Sequence, residues 1–397
     1  MKLADRAMNI SPSPTLSIDA KAKKMTAEGL NVINFGVGEP DFDTPDHIKQ
    51  AAVEALQKGM TKYTPVPGTE RLREAIAAKL KEDNGLEYKP SQIVVSAGAK
   101  HSLYNTFQVL CQEGDEVILP TPYWVSYLEQ IKLTSAVPVF VETTGANGFK
   151  LRPEDLKKAV TPKTRLIVLN SPSNPTGAVY TRSELEALGE ILAAHGVIII
   201  SDEIYEKLIY DGLEHVSIAS LSPALKDLTV VINGVSKSHA MTGWRIGYAA
   251  APQEIAKAMA DLQSHSTSNP TSIAQAATVA ALEGTQEPLR EMQKEFNKRR
   301  DYMLGRVNAI PGLSCAKPGG AFYLFPDMSS YIGKMYNGKK IEGARDLAVI
   351  LLDEAQVALV PGVAFGDDRC FRLSYATSME KIKEGMDRIE KVLSMVK

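Results

Sequence analysis

The sequence contains few of the residues that build metal centres and disulfide frameworks. Its three cysteines, Cys111, Cys315 and Cys370, lie far apart and form no C-x-x-C or Cys/His ligand pattern. Its six histidines show no metal-ligand spacing either. We therefore predict that the cysteines are buried apolar thiols, that the histidines are surface or structural residues, and that there is no metal site.

An excess of charge of one sign and long apolar runs are also missing. The formal net charge is -2, and no run of basic residues resembles a patch for a phosphate backbone. Residues 1–14 lack the apolar stretch of a signal peptide, and no later segment approaches the length of a membrane span. These absences argue against nucleic-acid and membrane partners. They predict a cytoplasmic protein that acts on a small molecule.

What is present indicates an α/β fold. The 397 residues, 44% of them hydrophobic, can bury a large core and are expected to form more than one domain. Runs rich in β-branched residues alternate with helical patterns, at residues 92–96, 116–119, 137–142, 165–170, 197–201, 229–233 and 246–250. This alternation predicts a mostly parallel sheet flanked by helices on both faces, with binding residues in the loops at the carboxyl ends of the strands.

The two ends of the chain have a different pattern. A Ser/Pro-rich arm at residues 10–15 precedes a helical pattern at residues 18–28 and an extended segment at residues 31–43. Near the other end, charged helical patterns at residues 289–308, 344–355 and 379–395 surround short strands at residues 320–325 and 371–374. We predict a large domain of residues 45–285, and a smaller α/β domain formed by residues 1–44 and 286–397.

The most informative segment is GVSKSHAMTGWRIG at residues 234–247, directly after the apolar strand pattern at residues 228–232. It offers the amine of Lys237 and the guanidinium of Arg245 at the mouth of a sheet. An amine can form a Schiff base with an aldehyde, and a fixed arginine can hold a phosphate. Together they indicate a pocket for pyridoxal 5'-phosphate, although a lone pair of this kind is also compatible with solvated surface charges.

This segment resembles the lysine-attachment motif of class I pyridoxal-phosphate-dependent aminotransferases, and similar matches recur along most of the chain. The resemblance is greatest to bacterial aspartate aminotransferases, in the subgroup that includes aspartate/prephenate enzymes. It implies the type I fold of pyridoxal-phosphate enzymes, with Lys237 as the catalytic residue. It also implies a homodimer with shared active sites, to which Tyr63 would contribute by reaching the phosphate of the neighbouring subunit.

The resemblance assigns further cofactor-binding residues. Asp202, at the end of an apolar strand, would pair with the pyridine nitrogen, and Tyr205 and Asn174 would bond the phenolate oxygen of the cofactor. Trp124 would stack on the ring, although core packing is the commoner role of a tryptophan. A helix N-terminus would explain Asp202 alone but not its combination with Lys237, and an ordinary turn would explain residues 170–177 equally well. The phosphate site would consist of Gly98, Ala99, Lys100, Ser236 and Arg245.

The substrate-binding residues would be Gly38, Lys100, Trp124, Asn174, Arg372, Ser13 and Thr15. Arg372 would hold the α-carboxylate, because a planar guanidinium matches a carboxylate, although strand alternation also permits an arginine on the exposed face of an edge strand. Gly38 would let the backbone close over the substrate. Lys100 resembles a lysine that reaches the distal carboxylate of a dicarboxylic substrate.

We therefore predict transfer of the amino group from L-aspartate to 2-oxoglutarate, with amino acids and 2-oxo acids as the partners. Several alternatives stay open. Other donors or acceptors include prephenate, alanine and aromatic amino acids, and Ser11 stands where some prephenate-using relatives have a lysine. A C–S lyase would use the same cofactor. A regulatory module that only senses a ligand would be expected to carry a DNA-binding segment, and the sequence shows no basic helix-turn-helix pattern.

Overall fold

The structure is a computed structural model that describes residues 3–12 and 14–397. The helices are α1 (Asp5–Met8), α2 (Pro14–Ala27), α3 (Asp46–Gln57), α4 (Glu70–Asn84), α5 (Ala99–Leu110), α6 (Val125–Leu133), α7 (Pro153–Ala159), α8 (Arg182–His195), α9 (Pro223–Leu228), α10 (Gln253–Ser264), α11 (Ser272–Glu283), α12 (Glu287–Ala309), α13 (Ala344–Ala355) and α14 (Met379–Leu393). The strands are β1 (Ile33–Asn34), β2 (Ile93–Ser96), β3 (Glu116–Thr121), β4 (Val137–Glu142), β5 (Thr164–Asn170), β6 (Ile198–Asp202), β7 (Thr229–Gly234), β8 (Gly247–Ala250), β9 (Tyr323–Leu324), β10 (Met335–Tyr336), β11 (Lys339–Lys340), β12 (Val357–Ala358), β13 (Val360–Pro361) and β14 (Phe371–Ser374).

A seven-stranded sheet in the order β2-β8-β7-β6-β5-β3-β4 forms the centre of the larger part of the molecule. Strands β4, β3, β5, β6 and β7 are parallel to one another, and β8 runs antiparallel between β7 and β2. The predicted mostly parallel sheet is therefore confirmed, and each of the predicted strands is present within a few residues. The antiparallel direction of β8 is the feature that the strand pattern did not predict.

Alternating side chains of the strands enter different cores, because successive residues of a strand point to opposite faces. Val94 of β2 packs with α5, α6 and α10 on one face, whereas Ile93 and Val95 pack with α3, α4 and α11 on the other. Farther along that second face, the inner strands pack on α7, α8 and α9. Helices thus cover both faces, as the sequence predicts.

The ends of the chain pack together beside this sheet. Strand β1 pairs in parallel with β12, and β14 lies between β13 and β9 in an antiparallel sheet of three strands. Helices α12, α13 and α14 pack with these strands in a common hydrophobic core. Within the described residues, no helix is long and apolar enough to cross a membrane.

Three local predictions differ from the structure. The strand predicted at residues 320–325 is reduced to β9, since Ala321 has φ 59° and interrupts the extended backbone. The strand predicted from residue 246 begins at Gly247, because Arg245 adopts φ 58°. Helix α2 begins at Pro14 rather than at residue 18, so the predicted arm at residues 10–15 is shorter; proline at the first position of a helix is favourable because it has no N–H to leave unpaired.

Strand direction brings the functional loops to one edge of the sheet. Asn170 ends β5, Asp202 ends β6 and Gly234 ends β7, and the first two are directly paired in the register. Because β8 is antiparallel, its first residue, Gly247, lies at the same edge and pairs with both Ser96 and Gly234. The loops after β2, β5, β6 and β7 therefore face one region.

Candidate active site

That region is a cavity of about 660 Å³. Its walls include Asp202, Tyr205, Ser236, Lys237 and Arg245 from the loops at the ends of β6 and β7. They also include Gly38, Ala99, Lys100, Trp124, Asn174 and Arg372 from more distant parts of the chain. The structure thus brings together most of the residues that the sequence singled out.

Lys237 lies in the turn after β7, partly buried, and its Nζ donates a hydrogen bond to the carbonyl oxygen of Gly38 at 2.6 Å. Burial lowers the pKa of this amine to about 8, with help from the charges of Arg372, Arg245 and Lys100 and against the opposing effect of Glu39. A lysine with such a pKa carries a substantial neutral fraction near neutral pH, which is the form that reacts as a nucleophile or base.

Asp202 is buried at the end of β6, and both of its carboxylate oxygens have hydrogen-bond donors. The hydroxyl of Tyr127 donates to Oδ2 at 2.6 Å, and the backbone N–H of Ile204 donates to Oδ1 at 3.3 Å. Burial raises the pKa of Asp202 to about 6, although these two bonds and the charge of Lys237 act to lower it. The carboxylate can therefore stabilise a positive charge in the cavity.

Arg372 is buried in β14, the central strand of its sheet. Its Nη1 donates to Oδ1 of Asn174 at 2.9 Å and its Nη2 to the carbonyl oxygen of Gly36 at 2.8 Å, while its Nε has no partner among the described residues. The interpretation of Arg372 as an exposed edge-strand residue is therefore wrong. Both acceptors are neutral, so they leave a buried positive charge that suits a carboxylate ligand.

Tyr205 is fixed from the side of the C-terminal sheet. Its hydroxyl forms a hydrogen bond with the hydroxyl of Tyr323 at 2.9 Å, and its ring packs edge-on against Phe322. The guanidinium of Arg372 lies over the ring of Tyr323, 4.4 Å from its centroid. The cavity wall is therefore a continuous polar and aromatic layer from Tyr205 to Arg372.

The opposite end of the cavity lies where β2 leads into α5. Gly98 precedes the first turn of α5 with φ 90°, and a Cβ built on it would come within 2.8 Å of Cζ of Arg245. The N-terminus of α5 and the guanidinium of Arg245 thus approach each other closely, a combination that suits an anion. Arg245 is held by the carbonyl oxygens of Thr242 at 2.8 Å and Ala97 at 3.3 Å.

Lys100 and Trp124 form the neighbouring wall. The Nζ of Lys100 lies over the ring of Trp124, 4.9 Å from its centroid. Burial, and to a lesser degree the charge of Arg245, lowers the pKa of Lys100. The ring of Trp124 packs edge-on against Tyr127, with 5.3 Å between the centroids.

Three predicted site residues are not placed in this cavity. Tyr63 is 91% exposed and does not line it. Ser13 lies outside the described residues, and Thr15 belongs to α2, with no description of its side chain. The predictions for these residues remain predictions.

Two residues that the sequence did not single out belong to the site. Tyr127 contacts Asp202, and Tyr323 contacts both Tyr205 and Arg372. Tyr127 follows Trp124 by three positions, a spacing that places two side chains on one side of a helical turn, so this signal was present in the sequence. Tyr323 carried no such signal, because it lies in β9, 118 positions after Tyr205 along the chain.

A buried ionic network lies next to the site, beyond Asp202. Glu206 pairs with Lys79 and accepts a hydrogen bond from Asn84 at 2.7 Å, and His215 pairs with Glu203 at 2.9 Å. Burial alone would raise the pKa of Glu206, but Lys79 and His215 lower it to about 2. The network therefore fixes the turn that follows β6 and carries Tyr205.

Comparison with known proteins assigns the family. The profile described as "Aminotransferase class I and II" matches residues 31–389. The chain is 55% identical to the aspartate aminotransferase of Geobacillus stearothermophilus, over 99% of each chain, and 47% identical to the aspartate/prephenate aminotransferase of Nitrosomonas europaea, over 99% of this chain and 100% of the other.

Solved structures of similar proteins show the same fold. That of the Rhizobium meliloti aspartate aminotransferase matches with a TM-score of 0.97 at 46% identity over the whole of both chains. That of the Thermus thermophilus enzyme with maleate matches with a TM-score of 0.93 at 42% identity, over 99% of this chain and 100% of the other. This chain belongs to the class I and II aminotransferases and has their type I fold.

Proposed function

We propose that this enzyme is an aspartate aminotransferase that transfers the amino group of L-aspartate to 2-oxoglutarate. The observation that carries the proposal is the pairing, in one cavity, of the Lys237 amine with the buried and incompletely bonded guanidinium of Arg372. An amine of lowered pKa can move a proton, and a guanidinium can hold the α-carboxylate of the substrate beside it. The names of similar proteins support aspartate as the donor.

The cofactor that we propose is pyridoxal 5'-phosphate, and the residues fit it. Gly98 lets the guanidinium of Arg245 lie close to the N-terminus of α5, where both can bind an anion, and Asp202 offers a buried carboxylate to the ring nitrogen. Ala99, Lys100 and Ser236 would complete the phosphate site. Tyr205, Asn174 and Trp124 would contact the ring and its oxygen. When bound, this cofactor supplies an aldehyde carbon and an electron-withdrawing ring.

The residues of this site would then have defined tasks. Lys237 would hold the cofactor at its aldehyde carbon, and its amine would move the proton of the substrate Cα. Arg372 fixes the substrate so that this proton lies within reach of Nζ, and Asn174, already bonded to Arg372, keeps the guanidinium in its plane. Asp202 provides the negative charge that favours a protonated ring nitrogen.

For the distal carboxylate of the substrate we propose Lys100, with Ser13 and Thr15 of the N-terminal segment. Lys100 is supported by its place on the cavity wall above Trp124. Gly38 would contact the substrate through its backbone. A side chain at this position would be crowded, since a Cβ would stand only 3.3 Å from the hydroxyl of Tyr323. Prephenate is an alternative acceptor, and assay of the wild-type enzyme with it decides the matter.

We also propose a homodimer in which Tyr63 reaches the phosphate of the partner's cofactor; its exposure of 91% leaves it available for such a contact. Boundaries at residues 45 and 285 would separate a large domain from a small one. They are supported by the core that α12, α13 and α14 form with the strands around them, which Ile204, Tyr205, Leu208 and Tyr210 of the larger part also join. Sedimentation of the purified protein tests the dimer.

The experiment is an absorption titration of the purified protein supplied with pyridoxal phosphate. We expect a visible band that L-aspartate removes and 2-oxoglutarate restores, and we expect neither change in Lys237→Ala. If the band persists with L-aspartate, and cysteine conjugates instead yield pyruvate and ammonia, then the enzyme is a C–S lyase. If no band forms, the proposed cofactor is wrong.

A further inference from the structure

Tyr127 holds the carboxylate of Asp202 from inside the protein. It lies on α6, is 2% exposed, and directs its hydroxyl to Oδ2 of Asp202 at 2.6 Å. This is a short hydrogen bond to a charged acceptor, the kind that contributes most to positioning. Oδ1 is held separately by the backbone N–H of Ile204, so the plane of the carboxylate is fixed from two sides.

Titratable groups from several elements face Asp202. Tyr127 reaches it from α6, Glu203 and Tyr205 follow it in the chain, and Lys237 approaches from the turn after β7. Burial and the charge of Glu203 favour the protonated acid, whereas Tyr127, Ile204 and Lys237 favour the carboxylate. Among the groups that act to lower the pKa of Asp202, Tyr127 has the largest effect.

The ring of Tyr127 has a second contact in the site. It meets the ring of Trp124 nearly at right angles, at 83° and 5.3 Å between centroids. Trp124 and Asp202 both line the cavity, and the same buried side chain touches both. Tyr127 thus connects the residue proposed to stack on the cofactor ring with the residue proposed to bind its nitrogen.

We propose that Tyr127 is a positioning residue that keeps Asp202 ionised and oriented toward the ring nitrogen of the cofactor. This inference rests on the proposed function, because it assigns a partner to a residue of that site. It predicts that loss of one hydroxyl group, with the ring retained, changes how cofactor binding depends on pH.

The test measures the affinity of the apoenzyme for pyridoxal phosphate between pH 5 and 9, by quenching of tryptophan fluorescence, in wild type and Tyr127→Phe. The titrations of the cofactor itself cancel in the ratio of the two affinities. We expect Tyr127→Phe to bind about tenfold more weakly on the acidic side, the effect of one charge-assisted hydrogen bond, and the curves to converge at high pH. The midpoint of the plot of cofactor affinity against pH would then lie about one pH unit higher in Tyr127→Phe than in wild type.

Tyr331→Phe is the matched control. Tyr331 is 3% exposed and donates a hydrogen bond to the carbonyl oxygen of Pro311, away from the cavity. The Tyr331→Phe variant should lose about as much thermal stability as Tyr127→Phe, and its affinity for pyridoxal phosphate should keep the wild-type dependence on pH. In an Asp202→Asn background, Tyr127→Phe should produce no further pH-dependent loss, because the carboxylate on which it acts is gone.

The inference would be overturned if the ratio of the cofactor affinities of wild type and Tyr127→Phe were the same at every pH. It would also be overturned if Tyr127→Phe still caused a pH-dependent loss of affinity in the Asp202→Asn background. Either result would leave the proposed function intact. Failure of the wild-type protein to bind pyridoxal phosphate at any pH would instead refute the proposed function.

Discussion

Replacement of Arg372 tests the proposed substrate site most directly. Its guanidinium has five N–H groups, and the bonds to Asn174 and Gly36 use two of the donors. The others can bind a carboxylate in a bidentate manner. Two charge-assisted hydrogen bonds contribute about 3–6 kcal/mol in total, and each 1.4 kcal/mol corresponds to about a factor of ten. We expect Arg372→Leu to lower kcat/KM for L-aspartate by about 10²- to 10⁴-fold.

Arg372→Lys separates charge from geometry. Lysine keeps the positive charge but cannot form the planar two-point contact, so we expect a loss of about 10- to 100-fold. The assay is the single-turnover half-reaction with L-aspartate, followed by loss of the visible cofactor band. A value for Arg372→Leu within about threefold of wild type would refute the proposed role, since a single charge-assisted hydrogen bond already contributes more.

Arg300→Lys is a suitable control for the loss of a buried guanidinium. Like Arg372, Arg300 is fully buried and lies over a tyrosine ring, at 4.7 Å from the centroid of Tyr210. It pairs with Asp211 and Asp301 and does not line the cavity. We expect Arg300→Lys to lower the melting temperature without changing kcat/KM for L-aspartate.

Three further predictions concern the glycine turn, the reactive amine and the ionic network. Gly98→Ala should displace Arg245 and weaken binding of pyridoxal phosphate by about tenfold or more, as measured by equilibrium dialysis. The control is Gly85→Ala, at a glycine with φ 66° and no described neighbour within 4 Å of an added Cβ, which should cost only about 1 kcal/mol of stability. Equal affinities of the two variants for the cofactor would contradict this prediction. Because the pKa of Lys237 is lowered to about 8, the rate at which trinitrobenzenesulfonate modifies it in the apoenzyme should rise with pH with a midpoint near pH 8. Peptide mass spectrometry follows the modification, and a midpoint above about pH 10 would contradict a pKa lowered by burial. The pKa of Glu206 in the folded protein is lowered to about 2, so the ionised carboxylate should stabilise the fold fully above about pH 4.5, and this contribution should be lost as the pH falls toward 2. In urea unfolding, the free energy of unfolding of Glu206→Gln should therefore fall by about 3 kcal/mol less over this pH range than that of wild type.

The sequence predicts local structure and individual site residues better than it predicts how they meet. Strands β5, β6 and β7 could be assigned because apolar β-branched runs end in polar loops, and their carboxyl ends do lie together. The direction of β8 could not be assigned, since a short run of this kind does not specify its neighbours. That direction places Gly247 against the backbone of Ala99, where a Cβ would collide.

The same limit applies to the site. Lys237 and Asp202 could be predicted because Lys237 follows a strand and Asp202 ends one, each in a recognisable motif. The burial of Arg372 depends on β13 and β9, which flank it on both sides, and a single strand pattern cannot distinguish a central strand from an edge strand. The contact between Tyr127 and Asp202 joins residues 75 positions apart, and nothing in either local pattern indicates it.

The bond from Arg372 to the carbonyl oxygen of Gly36 joins residues 336 positions apart, whereas the groups proposed to hold the cofactor lie mostly between residues 98 and 245. Chains emerge from the ribosome N-terminal end first, and early segments begin to fold as they appear. A nascent chain that ends before residue 372 would already contain the amine of Lys237 without the guanidinium that we propose binds the substrate. Synthesis past residue 372 is therefore a condition for the proposed selection of substrate.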